Sequence, residues 1–211
     1  MDPRVAGATE AQLQQWRAEL EGGAERVGWK IGFSTQASQQ QAGLSAPVVG
    51  HVTSATVVHY GAHLSLAGGT RVMVEPEVAI EVGEKLEAVA LAAAIEVIDV
   101  DRPFLEIEQI VETNIFHRHV MFGDFRPGYP PPRTAALLVN GQDRERDAVE
   151  GFDPAATIAL VAETLALTGE SLQPGDKIIA GALLPAVEVT PGDLVGVQLD
   201  NLGMVQLIFK E

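Results

Sequence analysis

Polar and apolar residues change their spacing several times along the chain, and each change marks an element. Leu13, Trp16 and Leu20 recur at helical spacing, Thr9 stands where a cap belongs, and Gly22 and Gly23 follow, so residues 10–21 are expected to be helical. From residue 27 to about 105 the period shortens to strand-like runs: VGWKIGF, VVGHVTSATVV, TRVMVEPEVAIEV and LAAAIEVIDVD. A short helix is expected over residues 104–119. Residues 125–133, FRPGYPPPR, hold four of the 12 prolines and read as an irregular connector inside one domain. Asp153 as N-cap, Pro154 at the first helical position and Gly169 beyond the end bracket a helix over residues 155–167. Two Pro-Gly-Asp turns, at 174–176 and 191–193, divide the strand-like tail, which ends in the alternating MVQLIF. Strands outnumber helices and do not alternate with them, which predicts an α+β fold and not a doubly wound one. Residues 1–26 read as a short N-terminal helical segment and residues 27–211 as a single domain.

Composition narrows the partners. Of 211 residues, 46% are hydrophobic and 20% charged, and the net charge is −15. That sign argues against nucleic acid and against an anionic membrane surface. The absence of cysteine removes disulfides, thiolate catalysis and thiolate metal sites, and fits a reducing compartment. MDPRVAGATEAQLQQW lacks the apolar stretch of a signal sequence, and no apolar run approaches the ~20 residues of a membrane helix, so a cytoplasmic protein is expected.

Candidate chemistry concentrates in VMVEPEVAIEV, residues 72–82. As a strand, it places Val72, Val74, Pro76, Val78, Ile80 and Val82 on one face and Met73, Glu75, Glu77, Ala79 and Glu81 on the other. Same-face neighbours on a strand lie roughly 6–7 Å apart, where carboxylates repel unless a cation stands between them. Pro76 cannot donate to a ladder, so an edge or a bulge is expected. The alternation also fits a solvated acidic face over an apolar back. Glu96 lies in the nearly unbroken apolar run LAAAIEVIDV; its carboxyl is expected to be buried and then neutral, paired with a base or metal-bound. Three such carboxylates, with neither cysteine nor a helical histidine pair, select Mg²⁺ or Mn²⁺ over Zn²⁺. Lys30 shares its strand face with Gly28 and Gly32. Either the glycines leave room for a ligand around the ammonium, or they permit a bulge while Lys30 reaches solvent. His51, His59 and His63 read as surface or structural residues, and His117 and His119 as a structural pair able to share a strand face. No phosphate loop, nucleophile elbow or zinc-helix motif is present.

Together, GWKIGFST, QQQAG, VEPEVAIEV, AAIEVIDVD and GDKIIAGAL with its trailing Pro-Gly-Asp turn resemble the fumarylacetoacetate hydrolase superfamily. Within it the similarity is to the 2-oxopent-4-enoate (2-keto-4-pentenoate) hydratase and 4-oxalocrotonate decarboxylase branch, in the expected order from about residue 27 onward. The resemblance implies an α+β fold built on a β-roll, a barrel-like mixed sheet with few helices, with residues 27–211 as the catalytic domain. It implies one Mg²⁺ or Mn²⁺ held by Glu75, Glu77 and Glu96, with Lys30, Gly32 and Ser34 lining the substrate pocket and Lys30 taking part in catalysis. It further implies a homo-oligomer acting on 2-oxo or 2-hydroxy-dienoic acids of aromatic catabolism. Such an acid chelates a divalent ion through its carboxylate and 2-oxygen, and the ion stabilises the negative charge of enolisation. Addition of water or loss of CO₂ can both proceed from that state.

Four departures stand out. Where hydratases of this branch read Pro-Asp-aromatic-Gly, with an acid for proton transfer, this chain reads Pro47-Val48-Val49-Gly50; His51, the next residue, is the candidate replacement. Ala180-Gly181-Ala182 stands where a hydroxyl residue is common. The N-terminal helical region and the stretch between Glu81 and Glu96 are both shortened. Residues 35–46 also lack the His and Glu of the hydrolase branch. The expected activity is therefore a metal-dependent hydratase or decarboxylase. A retooled enolate isomerase, tautomerase or cyclase is the first alternative, and a catalytically silent partner subunit the second.

Overall fold

In the computed structural model of the chain, which describes residues 1–100 and 106–211, a 3₁₀ turn (Pro3–Val5) leads into α1 (Ala6–Glu21), β1 (Arg26–Gly32), α2 (Gln36–Ala42) and β2 (Val48–Thr53). There follow β3 (His63–Ser65), β4 (Val72–Val82), β5 (Ala88–Asp99), α3 (Ile107–Glu112), β6 (His117–Phe122) and β7 (Arg126–Pro127). The rest comprises β8 (Thr134–Val139), β9 (Gln142–Ala148), α4 (Pro154–Ala166), β10 (Lys177–Ile179), β11 (Val187–Glu188), β12 (Leu194–Leu199) and β13 (Gly203–Lys210). The α+β expectation holds.

The strands make two sheets. The larger runs β2-β1-β10-β4-β5-β6, with β11 joined to β4 and β7 to β5; the smaller runs β3-β13-β12-β8-β9. In the larger sheet β1 and β10 are parallel and the other neighbours antiparallel. This sheet curls until its ends meet. Just past β2, Thr56 O accepts the Val120 N–H of β6 (2.9 Å), and the Val58 N–H donates to Val120 O (2.8 Å). Inside the curl, small residues (Ala79, Ala92, Ala94) pack with Val52, Val120 and Ile179, a filling compact enough for the walls to close. Outside it lies the main core. Val72, Val74, Val78, Ile80 and Val82 of β4 join Leu91, Ala93, Ile95 and Val97 of β5, against α1, α4 and the smaller sheet.

Local signals held where their chemistry was local. Asp153 Oδ1 accepts the N–H groups of Ala155 (2.9 Å) and Ala156 (3.2 Å) and so caps α4. In the two Pro-Gly-Asp turns Gly175 and Gly192 take φ +87° and +96°, and Asp176 and Asp193 accept the N–H of Gln173 and Thr190. Asp176 also binds Arg26 and the Trp29 indole N–H. Residues 125–133 are irregular apart from β7.

Two boundaries need correction. The first helix begins at Ala6, and Thr9 lies buried within it, its Oγ1 donating to Val5 O (2.9 Å) instead of capping. Over residues 104–119 the helix occupies only Ile107–Glu112, and His117 already belongs to a strand, because Asn114, Ile115 and Phe116 take positive φ and end the helix. The expected start of that helix at residue 104, and the expected end of the strand region at residues 101–105, lie outside the described residues. Among the described residues no helix is long and apolar enough to cross a membrane.

Candidate metal centre

Strand register builds the site. Glu75 pairs directly with Glu96 across β4 and β5, and Glu77 pairs with Ala94, so alternation turns all three carboxylates to the inner face of the curl. One oxygen from each falls within 4.8 Å of the others, a group that could hold a metal ion. The edge expected from Pro76 is corrected: β4 is an interior strand. Its pairing with β10 ends at Ala79 and that with β11 begins at Val74, leaving a gap opposite Pro76. The loop of residues 180–186 bridges the gap, the Ala180 N–H donating to Val78 O (3.1 Å) and the Leu183 N–H to Pro76 O (2.9 Å). The same loop reaches the carboxylates, where the Gly181 N–H donates to Glu77 Oε2 (2.8 Å). Gly181 has φ +101°, and a Cβ there would stand 2.5 Å from that of Ser34, so only glycine fits.

Electrostatics splits the three acids. Burial pushes the Glu75 carboxyl up to about 7, helped by the Glu96 charge and opposed by Lys30. Burial, then Glu96 and Glu75, push Glu77 well above the usual range. Glu96 is held low instead. Burial would raise it, but the Lys30 ammonium and the His117 hydrogen bond prevail and bring it to about 2. Glu77 Oε1 is buried and accepts from no donor among the described residues. An all-oxygen donor set, mutual repulsion and one orphaned buried oxygen are what a hard divalent cation would satisfy, so the residues fit such an ion.

Lys30 is 2% exposed; its Nζ binds Glu96 Oε1 and donates to Ile115 O (3.1 Å). His117 Nδ1 contacts the same Glu96 oxygen at 2.7 Å, and its Nε2 lies 3.0 Å from Thr56 Oγ1. A register shift between Val97 and Ile98 separates the partners of His119 and His117, and bulges of this kind re-aim side chains. The residue pattern gives His117 a structural role and does not single out Asn114 or Thr56. The one available signal was Asn114 after a short helix in a glycine-free stretch, since asparagine tolerates left-handed φ. Residues 114–116 have φ of +59°, +56° and +59°, which costs roughly 1–2 kcal/mol per residue for L-amino acids.

The positions a side chain would take at Gly28, Gly32 and Gly50 are filled by other parts of the chain. A Cβ on Gly32 would lie 2.6 Å from Ile115 Cγ2, one on Gly28 would overlap the Lys177 backbone, and one on Gly50 would lie 2.5 Å from Asn114 Oδ1. Lys30 is turned inward and does not reach solvent. His51 is not brought to the site. It pairs with Trp29, one position out of phase with the Lys30–Gly50 pair, and faces α1, its Nδ1 3.5 Å from Gln12 Oε1 and its Nε2 3.5 Å from Glu19 Oε1. Burial lowers its imidazole to about 4. Val48 and Val49 are buried, and His59 and His63 are exposed.

Above the carboxylates opens a cavity of about 780 Å³ lined by Lys30, Gly32, Ser34, Glu75 and Glu96 among others. Phe33, Met73, Ile98, Phe116, Leu183 and Pro185 give it a mostly apolar wall. A second cavity of about 310 Å³ adjoins it through Ser34 and Thr35 and extends to the start of α4.

No family model matches the chain. The chain is 29% identical to 4-oxalocrotonate decarboxylase from Pseudomonas sp over 94% of its own length and 84% of that protein. It is 27% identical to 2-keto-4-pentenoate hydratase 1 of Dechloromonas aromatica, over 95% of this chain and 82% of the other. The 4-oxalocrotonate decarboxylase from Pseudomonas putida G7, solved with magnesium and adipate, superposes with a TM-score of 0.88 at 24% identity, covering 97% of this chain and 86% of that one. The fold is shared with that decarboxylase and with fumarylpyruvate hydrolase from Pseudomonas aeruginosa. The chain's sequence relatives are 2-keto-4-pentenoate hydratases and 4-oxalocrotonate decarboxylases, so the resemblance read from the residues extends over nearly the whole chain.

Proposed function

We propose that this chain is a lyase dependent on Mg²⁺ or Mn²⁺, a hydratase or decarboxylase of a short 2-oxo or 2-hydroxy-dienoic acid. The observation that carries the proposal is the cluster of Glu75, Glu77 and Glu96. Of these, Glu75 and Glu96 line the cavity and Glu77 lies fully buried beside them, its Oε1 accepting from no donor among the described residues. These three residues would hold the ion, which when bound supplies Lewis-acid stabilisation of negative charge on the substrate's 2-oxygen. Lys30 carries a positive charge at the cavity wall. Two of its three N–H donors are taken by Glu96 and Ile115 O, and the third is left for a substrate carboxylate or enolate oxygen. His117 and Lys30 together grip Glu96 Oε1, which orients that carboxylate for the ion. Gly32 and Ser34 shape the wall against which the substrate chain lies. Residues 27–211 form the catalytic domain in this reading, and residues 1–26 brace its outer side. The protein acts as a cytoplasmic homo-oligomer.

Loss of dienol ultraviolet absorbance on adding metal-loaded protein tests the activity. Glu77→Gln should weaken Mn²⁺ binding by at least about 100-fold, read by calorimetry. A metal-loaded protein that binds none of a panel of dienoates and converts none ends the proposal. A second reading, an enolate isomerase, tautomerase or cyclase, is favoured by one observation: Val48 and Val49 are buried apolar residues and His51 faces α1, so none of the three is placed in the cavity as the acid for water addition. A product of unchanged mass would select it.

A further inference from the structure

We propose that Asn114 is a positioning residue for the Lys30 ammonium, acting through the left-handed turn of residues 114–116; the proposal rests on the reading that Lys30 works in the cavity. Three successive non-glycine residues with positive φ are an unfavourable way to join a helix to a strand, and a β-branched residue such as Ile115 is among the least suited to it. Backbone hydrogen bonds tie the turn to α3 and β5, the Ile115 N–H donating to Ile110 O (2.8 Å) and Phe116 O accepting the Asp99 N–H (2.9 Å). The Asn114 side chain pins it to β2. Asn114 Oδ1 accepts the His51 N–H (2.9 Å), and its Nδ2 donates to His51 O (3.0 Å). Two further positions are committed to the arrangement, since a Cβ on Gly32 would displace Ile115 and one on Gly50 would displace Asn114 and crowd Lys30 Cγ at 2.8 Å. What the arrangement delivers is the Ile115 carbonyl, aimed at Lys30 Nζ at 3.1 Å. With Glu96 taking a second donor, the ammonium can no longer swing, and its remaining N–H has a fixed direction.

Two measurements test this. The first reads Lys30 without reference to any reaction: slow modification of the metal-free protein with an amine-reactive reagent, followed residue by residue by mass spectrometry. Asn114→Ala should speed labelling of Lys30 by about tenfold, the scale of one hydrogen bond to a charged group, while Lys85, Lys177 and Lys210 keep their rates. Asn114→Gly is the second variant. It removes both hydrogen bonds but eases the positive φ, so it keeps the fold and should show the same acceleration. The second measurement is oxalate affinity of the Mn²⁺-loaded protein. Asn114→Ala should weaken oxalate about tenfold and Mn²⁺ itself less than about threefold, and in a Lys30→Met background it should cost nothing further. Unchanged Lys30 labelling in both variants, or oxalate penalties that add instead of merging, overturns the proposal. Failure of wild-type protein to bind oxalate counts against the proposed function, and the labelling still decides the role of Asn114.

Discussion

β4 carries two faces that follow different rules. Outward, Val72, Val74, Val78, Ile80 and Val82 are each no more than 6% exposed and need nothing beyond their apolar neighbours. Inward, Glu75 and Glu77 meet Glu96 across one strand pair, two of the acids held up by burial, the third held down by Lys30 and His117, and one buried oxygen left without a partner among the described residues. The outer face agrees with itself at every level, from period to packing. In the proposed reading the inner face conflicts with the fold until a cation resolves it, which is where natural proteins depart from local consistency. A single strand thus separates what stabilises the molecule from what makes it reactive.

The largest test of that separation is Lys30→Met. Leaving Glu96 with His117 alone should lower the unfolding free energy of the metal-free protein by about 3–5 kcal/mol, with much of the loss regained on saturation with Mg²⁺. Urea denaturation with and without the ion measures both, and a loss the metal cannot restore would assign Lys30 to the packing side. Ile80→Ala, on the outer face, should cost about 2–5 kcal/mol while leaving Mn²⁺ affinity within about threefold. Metal binding that fell in step with stability would break the comparison.

Proton linkage gives a gentler test. Burial raises the Glu75 carboxyl from its usual 4.5 to about 7 and raises Glu77 as well. Between these values Glu75 and Glu77 of the metal-free native chain keep protons that the unfolded chain has released, so the stability these two carboxyls contribute falls as pH climbs from about 4.5 to about 7. The imidazoles of His51 and His117, lowered by burial, contribute in the opposite sense. An ion displaces the carboxyl protons, so the rise in melting temperature caused by Mg²⁺ should grow over the same interval. A metal effect independent of pH would place the ion elsewhere. Smallest, and remote from the inner face, Asp153→Ala should cost about 0.5–2 kcal/mol through loss of the α4 cap and leave Mn²⁺ binding unchanged.

Much of this arrangement was legible in the residues. Period-two alternation in 72–82 assigned every side chain of β4 to its proper face, and Glu96 in an apolar run announced a buried charge. Caps and turns at Asp153, Asp176 and Asp193 were readable because their partners lie within three residues. What stayed hidden depended on distant segments. Pro76 suggests an edge, yet a loop more than 100 residues away closes over it, a substitution no local pattern encodes. Gly28 and Gly32 suggest open volume beside Lys30; the Lys177 backbone and Ile115 occupy the positions next to the glycines themselves, and the open volume is the cavity that Lys30 and Gly32 line. His51 is adjacent in sequence to a departure from the family pattern, and strand parity turns it to the wrong side. His117 depends on a bulge that shifts β6 by one residue against β5, and nothing in HRHVMF signals the shift.

The curled sheet has one weak seam. Between the two ends of an eight-stranded sheet, closure rests on the backbone of Thr56 and Val58 against Val120, and Thr56 also steadies the imidazole that grips Glu96. Peptide groups, hydroxyl, ring and carboxylate form one unbroken chain of hydrogen bonds here, so loosening of this joint is expected to reach Glu96. The amide protons of Val58 and Val120 thus serve as a built-in gauge, their exchange with solvent registering how firmly the mouth of the barrel is gripped.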